Sequence, residues 1–356
     1  MTDAKGRQDM RQITKHNRAG KKKNRISLIA CMFVLVFLMP GCGKNSDGVI
    51  RITNVSYDPT REFYEAYNPL FEKYYEDTYG KKVEVIQSHG GSGAQARSVV
   101  EGCNADVVTL ALEHDITLIE QTGLIDKGWQ KEFDKDSAPY TSTIVFLVRK
   151  GNPKKIRDWD DLIQKNVEVI TPDPKSSGGA CWNFLAALSY AKEHYTEEAQ
   201  QKEFMRKLYQ QVSVMDSGAR GSTTTFVENK KGDVLIAWEN EAIASMKSYP
   251  GEYELINPSV SILAQPSVAI VDDNADANGT QEVSREYLNY LYTDDAQRLA
   301  AEYGYRPSNE SILKEFSDRF DLNVKLYTIK DYGGWKEAYN NYFDDGAMFD
   351  EIYGNE

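Results

Sequence analysis

Cysteine is scarce in this chain. There are four in 356 residues, two of them (Cys31 and Cys42) near the amino terminus, so only Cys103 and Cys181 remain for the body of the protein. Two cysteines make no disulfide framework. Histidine is as rare, and no two of His16, His89, His114 and His194 have metal-ligand spacing. No bound metal or cofactor is therefore expected. Positive charge is also short, with 42 Lys and Arg against 54 Asp and Glu. Residues 1–41 hold nine of those basic residues and two of the acidic ones, which leaves the remainder at a net charge of about −19. Such a balance argues against nucleic acid and against an anionic membrane face as partners. Internal repeats and low-complexity tracts are absent.

The amino terminus reads as a leader rather than as fold. Lys21-Lys22-Lys23-Asn24-Arg25 is basic, and Ile26 to Met39 is an uncharged apolar run of 14 residues. That length suits a signal peptide and falls short of the roughly 18–20 residues that span a bilayer. Pro40-Gly41-Cys42 ends the run and a polar, glycine-containing stretch follows. The pattern resembles a bacterial lipobox, with Met39 where leucine is usual. Residues 1–41 are thus expected to be a signal peptide, and 42–48 a lipidated Cys42 with its tether. The protein would then sit on the outer face of the cytoplasmic membrane, held by acyl chains.

After the leader, strands alternate with amphipathic helices. Apolar strand-like runs fall at Val49 to Val55, Val83 to Ile86, Asp106 to Leu110, Thr143 to Arg149, Val167 to Ile170, Val212 to Met215, Val234 to Trp238 and Ser267 to Val271. Helical patterns include Leu70 to Tyr79, after an interruption at Pro69, and Trp182 to Lys192. The polar run Asp272 to Thr280 reads as a surface loop. This alternation predicts an α/β fold with mostly parallel sheets, in which ligands bind at the carboxyl ends of strands.

Three turns at such ends carry the chemistry. They are His89-Gly90-Gly91-Ser92-Gly93, Lys175-Ser176-Ser177-Gly178-Gly179-Ala180 and Asp216-Ser217-Gly218-Ala219-Arg220-Gly221-Ser222. Glycine lets the backbone approach a ligand, and a helix start offers unpaired N–H groups in a favourable dipole field. One such turn is weak evidence; three suggest a single small anion held from several sides. A pocket of donors alone favours a fully ionised oxyanion, because hydrogen phosphate carries a proton that needs an acceptor. Asp58, in Asn54-Val55-Ser56-Tyr57-Asp58, is the one carboxylate expected in reach: a side chain that caps the following helix and points away suits a fully ionised anion, whereas one that points inward would suit a protonated oxyanion such as phosphate. On this reading affinity stays nearly flat across pH 5–9.

These turns, with Asn54 to Glu62, Ala138 to Thr143 and Ile236-Ala237-Trp238-Glu239-Asn240, closely resemble the sulfate-binding proteins of bacterial sulfate/thiosulfate ABC importers. The resemblance spans essentially all of Val49 to Glu356. It implies a two-lobed periplasmic-binding-protein fold, with lobe one at 49–139 plus 265–356 and lobe two at 140–264, and a hinge near Ser137 to Thr143 and again between Tyr253 and Gln265. It implies a monomer that holds sulfate or thiosulfate by neutral donors and delivers it to a membrane ABC permease. The implied donors are the backbone N–H of Asp58, the hydroxyls of Ser92 and Ser177, the backbone N–H groups of Gly178, Gly179 and Ala219, and the indole N–H of Trp238. His89 is expected as a hydrogen-bond partner behind them. Arg220 either backs the anion or pairs with a surface acid. Cys181 departs from the pattern, standing where a larger or basic residue is expected.

Other readings are weaker. Molybdate, tungstate or phosphate would suit the same mechanics. Ser92 lacks the second flanking glycine of a hydrolase elbow, since position 94 is Ala94. Asp272 to Gly279 lacks the glycine and glutamate register of a calcium loop. An enzyme is therefore not expected.

Overall fold

The computed structural model describes residues 48–354. The leader and Cys42 lie outside the described residues. Val49–Tyr57, rich in β-branched residues, is the central strand of a four-stranded sheet. It runs parallel to Lys82–Gly90 on one side and to Val107–Leu110 on the other, and Ser267–Ile270 closes the far edge antiparallel. A second, five-stranded sheet has the order Val212–Asp216, Val169–Pro172, Val234–Trp238, Ile144–Arg149, Tyr253–Ile256. Its first three strands are parallel, and Ile144–Arg149 runs antiparallel to both of its neighbours, Val234–Trp238 and Tyr253–Ile256. Helices flank both sheets, giving the α/β architecture expected from the alternation and the two lobes that the resemblance implies.

Helix Arg61–Tyr79 runs straight through Pro69, where the sequence suggested a break. Pro69 removes one N–H, but both Pro69 and Glu65, whose carbonyl would have accepted it, lie on the exposed side. The opposite face buries Phe63, Tyr64, Tyr67, Phe71 and Tyr75. These meet Tyr140, Tyr287 and Tyr305 in an aromatic core, and each fully buried large side chain contributes about 1.5–3 kcal/mol. Gly80, with φ of 65°, ends the helix in the left-handed region.

Two further differences have tertiary causes. Asp272–Asn278 is a helix rather than a loop. Tertiary bonds outweigh its poor propensity: Asn274 Nδ2 donates to the Ala105 carbonyl at 2.9 Å and Asn278 Nδ2 to Asp106 at 2.9 Å. The carboxyl-terminal segment packs on the five-stranded sheet's helix rather than on the first sheet. Trp335 meets Trp182 edge-on, ring centroids 4.7 Å apart, and Phe343, Phe349 and Ile352 join the same core. Between the sheets the chain crosses at Tyr140–Thr141, which pairs antiparallel with Arg306–Pro307, and at Ser142, bridged to Ala264.

Candidate functional site

The candidate donors share one structural trait: each sits at the start of a helix. Asp58 opens the short helical turn Asp58–Thr60 that leads into Arg61–Tyr79. Ser92 is the first residue of Ser92–Val100, Gly178 and Gly179 the first two of Gly178–His194, and Ala219 the first of Ala219–Val227. Trp238 is the N-cap of Glu239–Ser248. The first N–H groups of a helix have no intrahelical acceptor, and the dipole adds positive potential there.

These starts converge. A side chain on Gly178 would come within 3.1 Å of Ser92 Cβ and 2.9 Å of Leu112 Cγ. One on Gly179 would meet Trp238 Nε1 at 3.3 Å, Ala219 Cβ at 3.6 Å and Ser177 Oγ at 3.6 Å. One on Gly91 would lie 3.4 Å from the Ser176 carbonyl, and one on Gly218 4.0 Å from Asp58 Oδ2. Ser176 Oγ also donates to the Ser217 carbonyl at 3.0 Å. Close approach thus requires glycine at Gly178 and leaves little room at Gly179, and all seven candidate residues fall in one place.

Their present hydrogen bonds differ. Ser177 Oγ accepts from the Ala180 N–H, so its own proton is free for another acceptor. Trp238 Nε1 donates to the Gly179 carbonyl at 3.1 Å. Asp58 does not cap the following helix as the sequence suggested: it is itself inside the helical turn, Tyr57 is the N-cap, and the carboxylate accepts from Arg61 at 3.4 Å. Ser92, 2% exposed, accepts from the Ala111 N–H at 3.0 Å and is bonded to Asp115.

Arg220 and Lys175, the basic residues of two of the turns, are engaged. One Arg220 guanidinium nitrogen donates to both carboxylate oxygens of Glu62, at 2.6 Å each, and lies 3.9 Å from Glu241. Burial pushes the Glu241 carboxyl up, against the Arg220 charge and the Thr223 hydroxyl. Lys175 turns away to Asp350 at 2.9 Å. Burial and then the nearby Arg61 charge push His89 down to about 4, so it is neutral at physiological pH, and its Nδ1 is buried without a partner. Cys181 is a free, buried thiol held well above its usual range by burial and then by Asp115 and Asp173. The helix start does not activate it. Among the described residues no cluster of acids, histidines and cysteines suits a metal, and no helix is long and apolar enough to cross a membrane.

Two residues that the sequence did not single out complete the site. Glu62 holds Arg220 from the opposite sheet's side, and Asp115 holds Ser92. Asp115 stands on Glu113–Glu120, just past the carboxyl end of the fully buried strand Val107–Leu110. An acid placed there after an apolar strand was the available signal.

Residues 52–306 match the family described as bacterial extracellular solute-binding protein. The sulfate-binding protein of Escherichia coli (strain K12) is 53% identical over 306 residues, covering 85% of this chain and 93% of that protein. The thiosulfate-binding protein of Pseudomonas aeruginosa is 43% identical over 305 residues, 85% of this chain and 92% of that protein. Among solved structures, the sulfate-binding protein SubI from Mycobacterium tuberculosis H37Rv superposes with a TM-score of 0.76 at 34% identity, covering 83% of this chain and all of that one. With a family match over most of its length and relatives this similar, the chain belongs to the bacterial extracellular solute-binding proteins, in the family of the sulfate- and thiosulfate-binding proteins.

Proposed function

We propose that this protein captures sulfate, and thiosulfate by the same donors, outside the cytoplasmic membrane and delivers it to the permease of an ABC importer. The observation that carries this reading is the convergence of five helix starts on one point, with neutral donors and with Arg220 and Lys175, the basic residues of the turns, already paired to carboxylates. A dianion taken out of water loses several kcal/mol of solvation even after relaxation. Charge-assisted hydrogen bonds of roughly 1.5–3 kcal/mol each, from Asp58, Gly178, Gly179 and Ala219 N–H and from Ser92, Ser177 and Trp238, replace it. Trp238 exchanges the Gly179 carbonyl for the anion.

Capture is a hinge closure. Asp58 and Ser92 belong to the lobe of the four-stranded sheet and the other donors to the second lobe, so the anion completes the contact between them. The Arg220–Glu62 pair bridges the same boundary. The tail from Lys325 onward moves with the second lobe, because its aromatic core lies there. Residues 1–41 direct export and Cys42 carries the lipid. The protein works as a monomer and turns nothing over. Expression in a bacterium stripped of its own sulfate- and thiosulfate-binding proteins tests the reading: restored uptake of labelled sulfate supports it, and uptake no better than the empty vector refutes it.

A further inference from the structure

Ala111 is held at both ends. It directly follows the strand Val107–Leu110 of the four-stranded sheet. Its N–H donates to Ser92 Oγ at 3.0 Å. Its carbonyl accepts from Trp182 Nε1 at 2.9 Å, and both residues are fully buried. Trp182 stands on Gly178–His194, the helix whose start supplies two candidate donors. That helix shares a core with Val169 and Ile236 of the five-stranded sheet. One buried residue thus links an indole on one sheet's side to a hydroxyl on the other's.

The spacing explains how they meet. Gly178 and Trp182 are four residues apart, so they lie on one face of their helix, one turn apart. That face meets the segment after Val107–Leu110: a side chain at Gly178 would lie 2.9 Å from Leu112 Cγ, and Trp182 reaches Ala111. Trp335 and Tyr339 repeat the spacing on Trp335–Tyr342. Trp335 meets the Trp182 ring edge-on at 4.7 Å, and Tyr339 stacks on His114 at 3.8 Å with the rings 10° from parallel. Two helices therefore grip Ala111 to His114 from the five-stranded sheet's side, and Trp335 backs the Trp182 ring.

We propose that Trp182 is a positioning residue for the anion: as the two halves close, its indole N–H captures the Ala111 carbonyl and so sets Ser92 in register with Gly178 and Gly179. This rests on the sulfate reading above and deepens it, because it names a group that aligns donors from both halves without touching the anion.

The physical reason lies in what misalignment would leave unpaired. In an open form water serves both the indole N–H and the carbonyl. A closed form with Ser92 out of register would bury both groups without partners, which costs more than the aligned bond gains. The bond therefore selects one closed geometry. Tryptophan suits the task, since its ring is rigid and its nitrogen donates and cannot accept. The anion then meets Ser92, Gly178 and Gly179 already spaced for it, and little of its binding energy goes into ordering them.

Trp182→Phe removes the N–H and keeps a ring against Trp335. Calorimetry of the purified protein with sulfate should show affinity reduced about tenfold, and stopped-flow release should place most of that loss in faster dissociation. A double-mutant cycle separates positioning from mere structural support. In a Ser92→Ala background the loss on Trp182→Phe should shrink to about twofold or less, because the group it positions is gone. Wild-type affinity in Trp182→Phe overturns the inference, and so does an undiminished loss in the Ser92→Ala background. The wild type offers a second readout that needs no variant to fold. In nitrogen-15 spectra the Trp182 indole N–H, assigned from its contacts with the Trp335 ring, should shift and become slow to exchange when sulfate is added. A signal equally protected with and without sulfate overturns the inference. Each of these failures, with sulfate still bound by the wild type, leaves the sulfate reading standing. Silence of the wild type toward both sulfate and thiosulfate overturns both.

Discussion

Arg220, one residue inside its helix start, reaches across to Glu62, the second residue of Arg61–Tyr79, and one guanidinium nitrogen touches both carboxylate oxygens at 2.6 Å. The two residues belong to different sheets' helices, and each lies beside a candidate donor: Ala219 precedes Arg220, and Asp58 opens the turn before Glu62. The pair therefore forms where the two halves meet around the anion.

Loss of that pair should loosen the closed form without touching a donor. Both side chains are more than a third exposed, so the effect is modest. Glu62→Gln is expected to weaken sulfate binding by about two- to fivefold, mainly through faster release. Stopped-flow release of sulfate into excess competitor measures it; an unchanged rate contradicts the latch.

Gly178→Ala tests the close approach. The added methyl would lie 2.9 Å from Leu112 Cγ and 3.1 Å from Ser92 Cβ, inside contact distance. Overpacking of this kind costs roughly 1–3 kcal/mol, here set against closure, so affinity should fall by about tenfold or more while the melting temperature of the free protein changes little. Equilibrium titration of both proteins decides it.

Arg306 and Glu239 form a buried bidentate pair, at 2.6 and 2.8 Å, directly after Trp238. Arg306→Met would leave Glu239 charged and unpaired in an apolar setting, at a cost of about 3–5 kcal/mol. Thermal unfolding should show a fall of several degrees at pH 7, and a smaller one at pH 4, where Glu239, whose carboxyl burial already raises, can take a proton.

Asp115 carries a stability prediction separate from binding. Its folded carboxyl lies at about 6 against an ordinary 3.8. A raised carboxyl costs stability as pH climbs through that interval, by about 3 kcal/mol once fully ionised. Asp115→Asn should therefore melt higher than wild type at pH 8, with the gap closing toward pH 4. An equal gap at both values contradicts the burial of a charge there.

Much of this was legible in the sequence because strands and turns are local. Val234–Trp238 ends where the apolar run ends, and the Ser-Ser-Gly-Gly turn announces the start of Gly178–His194. What escaped was set by distant contacts. Nothing near Asp272 signals that Asn274 and Asn278 will find Ala105 and Asp106. The tail beyond Lys325 declares no side until Trp335 meets Trp182. Asp58 reads as a cap until its own place inside the helical turn is seen. The donors were readable as types, whereas Asp115 and Glu62 became part of the site only through the approach of residues 23 positions and 158 positions away in the chain.

A pocket of helix-start donors should select a fully ionised oxyanion. Isothermal titration of the purified protein, freed of ligand, with sulfate and with phosphate at pH 6 tests it most directly. Tight one-to-one binding of sulfate with phosphate silent is expected. Phosphate bound as tightly as sulfate, or in its place, would contradict it.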